Sequence, residues 1–168
     1  MTSDAIAVAN YFVDKAKKDR KSDLTLLRLV KYVYIAYGFS MAILDKVIIN
    51  ERFDVVEAWK YGPVIPSVYH SFKHNRNNRI TEEAQILVDE TMEGELKFET
   101  PMILDENVKQ ILDFVWNKYK AYSTSQLITL LHKSGTPWKY CYKEGENREI
   151  PAEMTRAYYC SIVERVMK

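Results

Sequence analysis

Apolar residues return at spacings of three and four at Ile6, Val8, Ala9, Phe12, Val13 and Ala16, which predicts an amphipathic helix over residues 4–18 with Ser3 as its cap. A polar run over 17–22 ends it. Ser22 or Asp23 is expected to cap a second helix over 24–39. There Leu26, Leu27, Leu29, Val30, Val33, Tyr34 and Tyr37 leave hardly any polar face, and a helix apolar all round belongs in the middle of a core. After Gly38 a short separate segment over 40–44 follows. The β-branched residues Val47, Ile48 and Ile49, then Phe53, Val55 and Val56, flank a polar Asn50-Glu51-Arg52 turn and predict a short hairpin.

Backbone punctuation concentrates in residues 57–69. Gly62 tolerates a backbone conformation closed to other residues, Pro63 pushes Gly62 out of the helical region, and Pro66 suits the first turn of a helix over 66–73. Residues 75–78 favour turns and should stop that helix. Residues 81–94 fit either a helix capped by Thr81 or a strand around Ile86 and Val88, and Gly94 and Pro101 mark a loop. Residues 105–119 read as a helix capped by Asp105. Ser123 and Gln126 have the form of a capping box for the next helix. Gly135 and Pro137 break that helix, 137–140 can restart it, and 143–148 read as a loop. Pro151 then launches a last helix whose buried stripe is expected to be Met154, Ala157, Tyr158, Ile162, Val163 and Val166. The fold class that follows is mainly α, one compact helical domain over residues 1–168 with a small β-hairpin or short β element.

Composition narrows the function more than the fold. The 168 residues are 47% hydrophobic and 28% charged, a globular balance. No stretch comes near the roughly 18 uninterrupted apolar residues of a membrane span, and no apolar leader precedes the first helix. A cytoplasmic protein with no membrane role is the expectation, and Cys141 and Cys160 are then reduced thiols. A net charge of +1 argues against a dedicated nucleic-acid binder, although Lys73, Arg76 and Arg79 cluster. Charge is nonetheless segregated: Lys15, Lys17, Lys18, Arg20 and Lys21 form a basic group, and residues 82–99 are mainly acidic.

Candidate chemistry is sparse. His70 and His74 share a helix face, but no acid lies between them in the zinc-protease pattern and no third ligand is evident, so no metal is expected. Cys141 or Cys160 with His132 could form a nucleophile pair only by chance proximity. With no P-loop, dinucleotide fingerprint or nucleophile elbow, neither a cofactor nor a catalytic residue is expected. Twelve tyrosines and three tryptophans offer binding anchors instead, and Trp59, Tyr61, Tyr69, His132 and Trp138 are the candidate partner-binding residues.

Three segments resemble the Panacea antitoxin domain family, the SocA-like or GepA-like phage-associated proteins. Residues 28–38 are similar to the family's Lys-Leu-x-Lys-Leu-Leu-Tyr-x-Ala helix, with Arg28 for the first lysine and Tyr32 for a leucine. Residues 57–69 carry its specific signature, an acidic-Ala-Trp leading through Gly62-Pro63-Val64 to Pro66 and Tyr69. Residues 127–138 resemble a later element, with His132, Pro137 and Trp138 matching and Leu131 where a hydroxyl residue is common. The resemblance spans 24–142. It implies a non-catalytic binding module that neutralises a cognate protein toxin, encoded beside it, by direct contact. The alternatives it allows are an adaptor that delivers a partner to a Clp-type AAA+ protease and a phage-borne relative without a toxin. Gly62, Pro63 and Pro66 are the structural residues of the signature.

Overall fold

The long helix α2 (Leu26–Leu44) is the axis of the molecule, with Leu29, Val33, Ile35 and Ala36 sealed from solvent on different sides of it. The computed structural model describes residues 4–20, 23–90 and 92–166. Among these, α1 (Asp4–Lys18), α4 (Glu106–Tyr119) and α7 (Ala152–Val166) pack around α2, and α3 (Pro66–Phe72) and α5 (Thr124–His132) close its remaining sides. The short α6 (Pro137–Cys141) links α5 to the C-terminal segment. By length and composition α2 could cross a membrane, yet it is mostly buried inside the fold, as the core helix of a globular domain is. The fold is mainly α, as the sequence predicts.

Three expectations at the ends of α2 need correction. Thr25, not Asp23, occupies the cap position, without a side-chain cap bond, while Leu24 stays outside the helix and its carbonyl accepts the Ile80 amide at 2.8 Å. Tertiary pairing therefore takes the residue that helix periodicity alone would include. The other proposed caps, Ser3 and Ser22, lie outside the described residues. The helix also runs past residue 39 to Leu44, where its cap, Asp45, takes a left-handed conformation at φ 53°. Gly38 is there for packing, because a Cβ built on it would sit 2.1 Å from Cδ2 of the buried Tyr159 of α7.

That contact sets the rotation of α7 and overturns its predicted stripe. Thr155 and Tyr159 are the buried residues, Ala157 and Val166 are exposed, and Met154, Tyr158, Ile162 and Val163 lie at the margin. The Thr155 and Tyr34 hydroxyls meet at 3.1 Å in the interior. Pro151 precedes the helix, its carbonyl accepting the amides of Met154 and Thr155. On the other side of α2, Phe12, Tyr32 and Trp116 form an aromatic cluster with centroids 5.7 to 6.5 Å apart, and the Trp116 indole N–H donates to Asp19 at 2.6 Å. Such clusters add to area burial through edge and offset contacts. Asp105 caps α4 and the Ser123–Gln126 capping box starts α5, both as expected.

The hairpin expected over residues 47–56 does not form. Asn50 and Asp54 tie a polar turn, the Asn50 carbonyl accepting from Phe53 N and Asp54 Oδ2 accepting from Asn50 N. Ile48, Ile49 and Val56 are buried on either side of it, so the β-branched run fills the core as a strap. The hairpin lies one step later: β1 (Glu57–Trp59) pairs antiparallel with β2 (Gly62–Val64), and β5 (Arg148–Glu149) adds to the free edge of β1. The remaining ambiguity resolves as a second hairpin, β3 (Ile86–Glu90) with β4 (Leu96–Glu99), paired with each other and with no other strand among the described residues.

Candidate functional site

The β1–β2 hairpin carries the signature residues and is fastened at three points. Gly62 closes its tight turn at φ 124°, a value that side chains rarely adopt, and Pro63 pairs with Ala58 across the strands. From below, Lys31 of α2, with no solvent exposure, donates its ammonium to the Tyr61 carbonyl at 2.5 Å. From the side, the buried Trp138 of α6 donates its indole N–H to the Trp59 carbonyl at 2.7 Å. Thr136 caps α6 and Pro137 opens it, which fixes the angle at which Trp138 points back.

His132, the last residue of α5, stacks on Trp138 with centroids 3.5 Å apart and planes within 7°, and Tyr142 stacks on the far side of that indole. Its Nε2 is buried with no hydrogen-bond partner. A Cβ at Gly62 would lie 3.3 Å from Lys31 Nζ and 3.7 Å from His132 Nε2, so both nitrogens converge on the bare backbone of the turn. Burial lowers the Lys31 ammonium to about 7. Burial first and the Lys31 charge second hold the His132 imidazole below its ordinary value, against the pull of the Tyr61 carbonyl. At neutral pH His132 is therefore uncharged. Lys31 Nζ is sealed from solvent and bonded to the Tyr61 carbonyl, so the cluster acts as a latch that holds the hairpin on α2, α5 and α6.

On the outer face of the hairpin, Trp59 donates to Glu57 Oε2 at 2.6 Å and meets Tyr69 of α3 edge-on, centroids 4.8 Å apart. Trp59 and Tyr69 are half-buried, Tyr61 is 53% exposed, and Trp138 is turned inward. The five candidate partner-binding residues thus gather round one hairpin, with Tyr61 the outermost. Sequence reasoning placed Lys31 only within the resemblance to the family helix and did not mark it or Arg28 as site residues. Arg28 is also buried, donating to the Tyr32 hydroxyl at 2.6 Å. The signal available was a cation in a helix with no polar face, which has to find its partners inside.

Residues 29–139, from the second turn of α2 to α6, match the family model described as antitoxin SocA-like, Panacea domain. The chain belongs to this family. Antitoxin SocA of Caulobacter vibrioides (strain NA1000 / CB15N) is 33% identical over 135 residues, covering 80% of this chain and 68% of that protein. No solved structure matches. The SocA-like region begins and ends on the latch: Lys31 lies just inside its first boundary and Trp138 just inside its last, with Gly62 and His132 between them.

The other residues weighed in the sequence lie apart from this hairpin or are engaged elsewhere. His70 and His74 are both exposed, and the described residues include no group of three or more potential metal ligands. Cys141 and Cys160 are free thiols, and burial pushes the Cys141 thiol up, away from nucleophilic use. Three members of the N-terminal basic group are engaged in ion pairs: Lys15 with Asp113 at 3.1 Å, Lys17 with Glu83 at 3.2 Å and Lys18 with Asp14 at 2.7 Å.

Proposed function

We propose that this protein is an antitoxin that neutralises a cognate protein toxin by direct contact in the cytoplasm, by binding and not by catalysis. The carrying observation is the match of the SocA-like antitoxin model to residues 29–139, the same residues that build and latch the β1–β2 hairpin. The geometry agrees with a binding role. Of the titratable pair of the site, Lys31 is spent on the Tyr61 carbonyl and His132 on stacking against Trp138, and what the molecule offers to solvent is a scaffold with exposed aromatic and aliphatic side chains. Occluding a toxin would bury on the order of 1,200 to 2,000 Å² in total, with a few anchors carrying most of the energy.

The test is co-expression with the product of the open reading frame beside this gene. The neighbour alone arrests growth, this protein restores it, and the two co-elute on size exclusion. A harmless neighbour, or a harmful one that this protein neither binds nor rescues, refutes the reading. Rescue that disappears in cells lacking Clp-type proteases, with binding intact, would replace occlusion by proteolytic delivery.

A further inference from the structure

The β3–β4 hairpin is an arm whose surface the latch does not account for. Its register pairs Leu87 with Phe98, and an irregularity at Val88 shifts the pairing so that Asp89 lies opposite Lys97. Alternation along β4 then puts Leu96 and Phe98 on the same face as Leu87. These three are 54%, 52% and 54% exposed, and neither strand pairs with any other strand among the described residues. An apolar sheet face of this kind, open to water, marks an interaction surface. Met92 near the tip and Met102 and Leu104 beyond the foot extend the exposed apolar run.

The arm does not dangle. Asn10 of α1, 4% exposed, donates from Nδ2 to the carbonyls of both Ala84 and Pro101, at 2.9 and 3.1 Å, and accepts the Ala84 amide on Oδ1 at 2.7 Å. One buried side chain thus clamps both feet of the arm to the body. A cleft of about 470 Å³ lined by Asn10, Tyr11, Pro101 and Met102 lies beside them. The arm is presented at a fixed place, which lowers the ordering cost of binding.

Charge decides what it meets. Residues 86–99 hold five acidic residues and one lysine, in a chain whose net charge is +1. That excess repels nucleic acid and anionic membrane, and it repels a second copy of the same arm. Charge on an exposed edge also prevents strand-to-strand aggregation, but that role does not require the Leu87–Leu96–Phe98 face. We propose that the arm is the toxin-docking element, laying this face on an apolar patch of the toxin rimmed by lysine and arginine. The assignment rests on the antitoxin reading above and adds the docking element and the partner's charge.

The test uses the full chain and the product of the adjacent open reading frame. Leu87→Ser with Phe98→Ser removes the face, and Glu93→Lys with Glu99→Lys reverses part of the charge; both variants keep the wild-type urea midpoint because these residues lie outside the core. The serine variant binds at least about 30-fold more weakly and loses rescue, as expected when interface anchors are removed. The lysine variant associates about tenfold more slowly at low salt, and the difference closes at high salt. Wild-type affinity and rescue in both variants overturn the arm assignment while leaving the antitoxin reading standing. Wild-type protein that runs as a dimer, made monomeric by the serine pair, overturns it in favour of a second copy. A wild-type chain that neither binds nor rescues refutes the antitoxin reading, and the arm assignment falls with it.

Discussion

Replacing Lys31 by methionine keeps the length of the side chain and removes its charge. The folded protein holds this ammonium at about 7, against an ordinary 10.5 once the chain unfolds, with desolvation as the cause. Between those values the unfolded state binds more protons than the folded state, so stability rises with pH across the window. From about pH 7 to about pH 9 the gain is about 2 kcal/mol. Within this range the raised Cys141 thiol works weakly the other way, because its unfolded form ionises as the pH nears 9, and it does so equally in both proteins. Buried Tyr34, Tyr119 and Tyr159 have raised values and lose stabilisation only above their unfolded value near 10, and His132 is lowered and titrates below 6.5. Urea unfolding of wild type and Lys31→Met at about pH 7, 8 and 9 isolates the effect: the wild-type midpoint climbs and that of the variant stays flat. Absolute stability at neutral pH is less informative, because methionine also leaves the Tyr61 carbonyl without its donor, at a cost of about 1 to 3 kcal/mol. Parallel curves for the two proteins would refute a buried, half-neutral lysine beneath the hairpin.

Gly38→Ala gains helix propensity of about 1 kcal/mol but forces a methyl into the Tyr159 ring, so a net loss of about 1 to 3 kcal/mol in thermal or urea unfolding is expected; an unchanged or higher melting temperature would show that α7 can shift freely. Trp138→Phe keeps an aromatic against His132 but removes the N–H to Trp59, so a loss of about 1 to 3 kcal/mol is expected, with faster amide exchange in β1 and β2 than elsewhere. Uniform exchange throughout would mean that Trp138 does not hold the hairpin.

Local chemistry was the most legible part of the sequence. Asp105 and the Ser123–Gln126 box announced α4 and α5 because a cap is decided within four residues. Gly62 does take a positive φ and Pro66 does open α3, but Gly62 and Pro63 belong to strand β2 of a hairpin and not to a corner. Errors arose where a distant partner decided the outcome. The sequence predicts that the second helix stops near Phe39 because Gly38 carries no record of the ring packed on it, and the phase of α7 follows from that same ring. The β-branched residues Ile48 and Ile49 have strand propensity, but burial, not pairing, claimed them. At the candidate site the aromatics were visible as types, whereas the latch was not, because Lys31, Tyr61, His132 and Trp138 are brought together by four separate elements.

The central position of α2 has a consequence for synthesis. Its last residue, Leu44, is made roughly 120 residues before Val166, the last residue of the helix packed on Gly38, and at about 5 to 20 residues per second that gap is on the order of ten seconds. Through that interval the ribosome carries an apolar helix with the length and composition of a membrane anchor and without its final cover. For this chain the hazard of being misdirected or captured by a chaperone peaks during translation and ends when the C-terminal helix arrives.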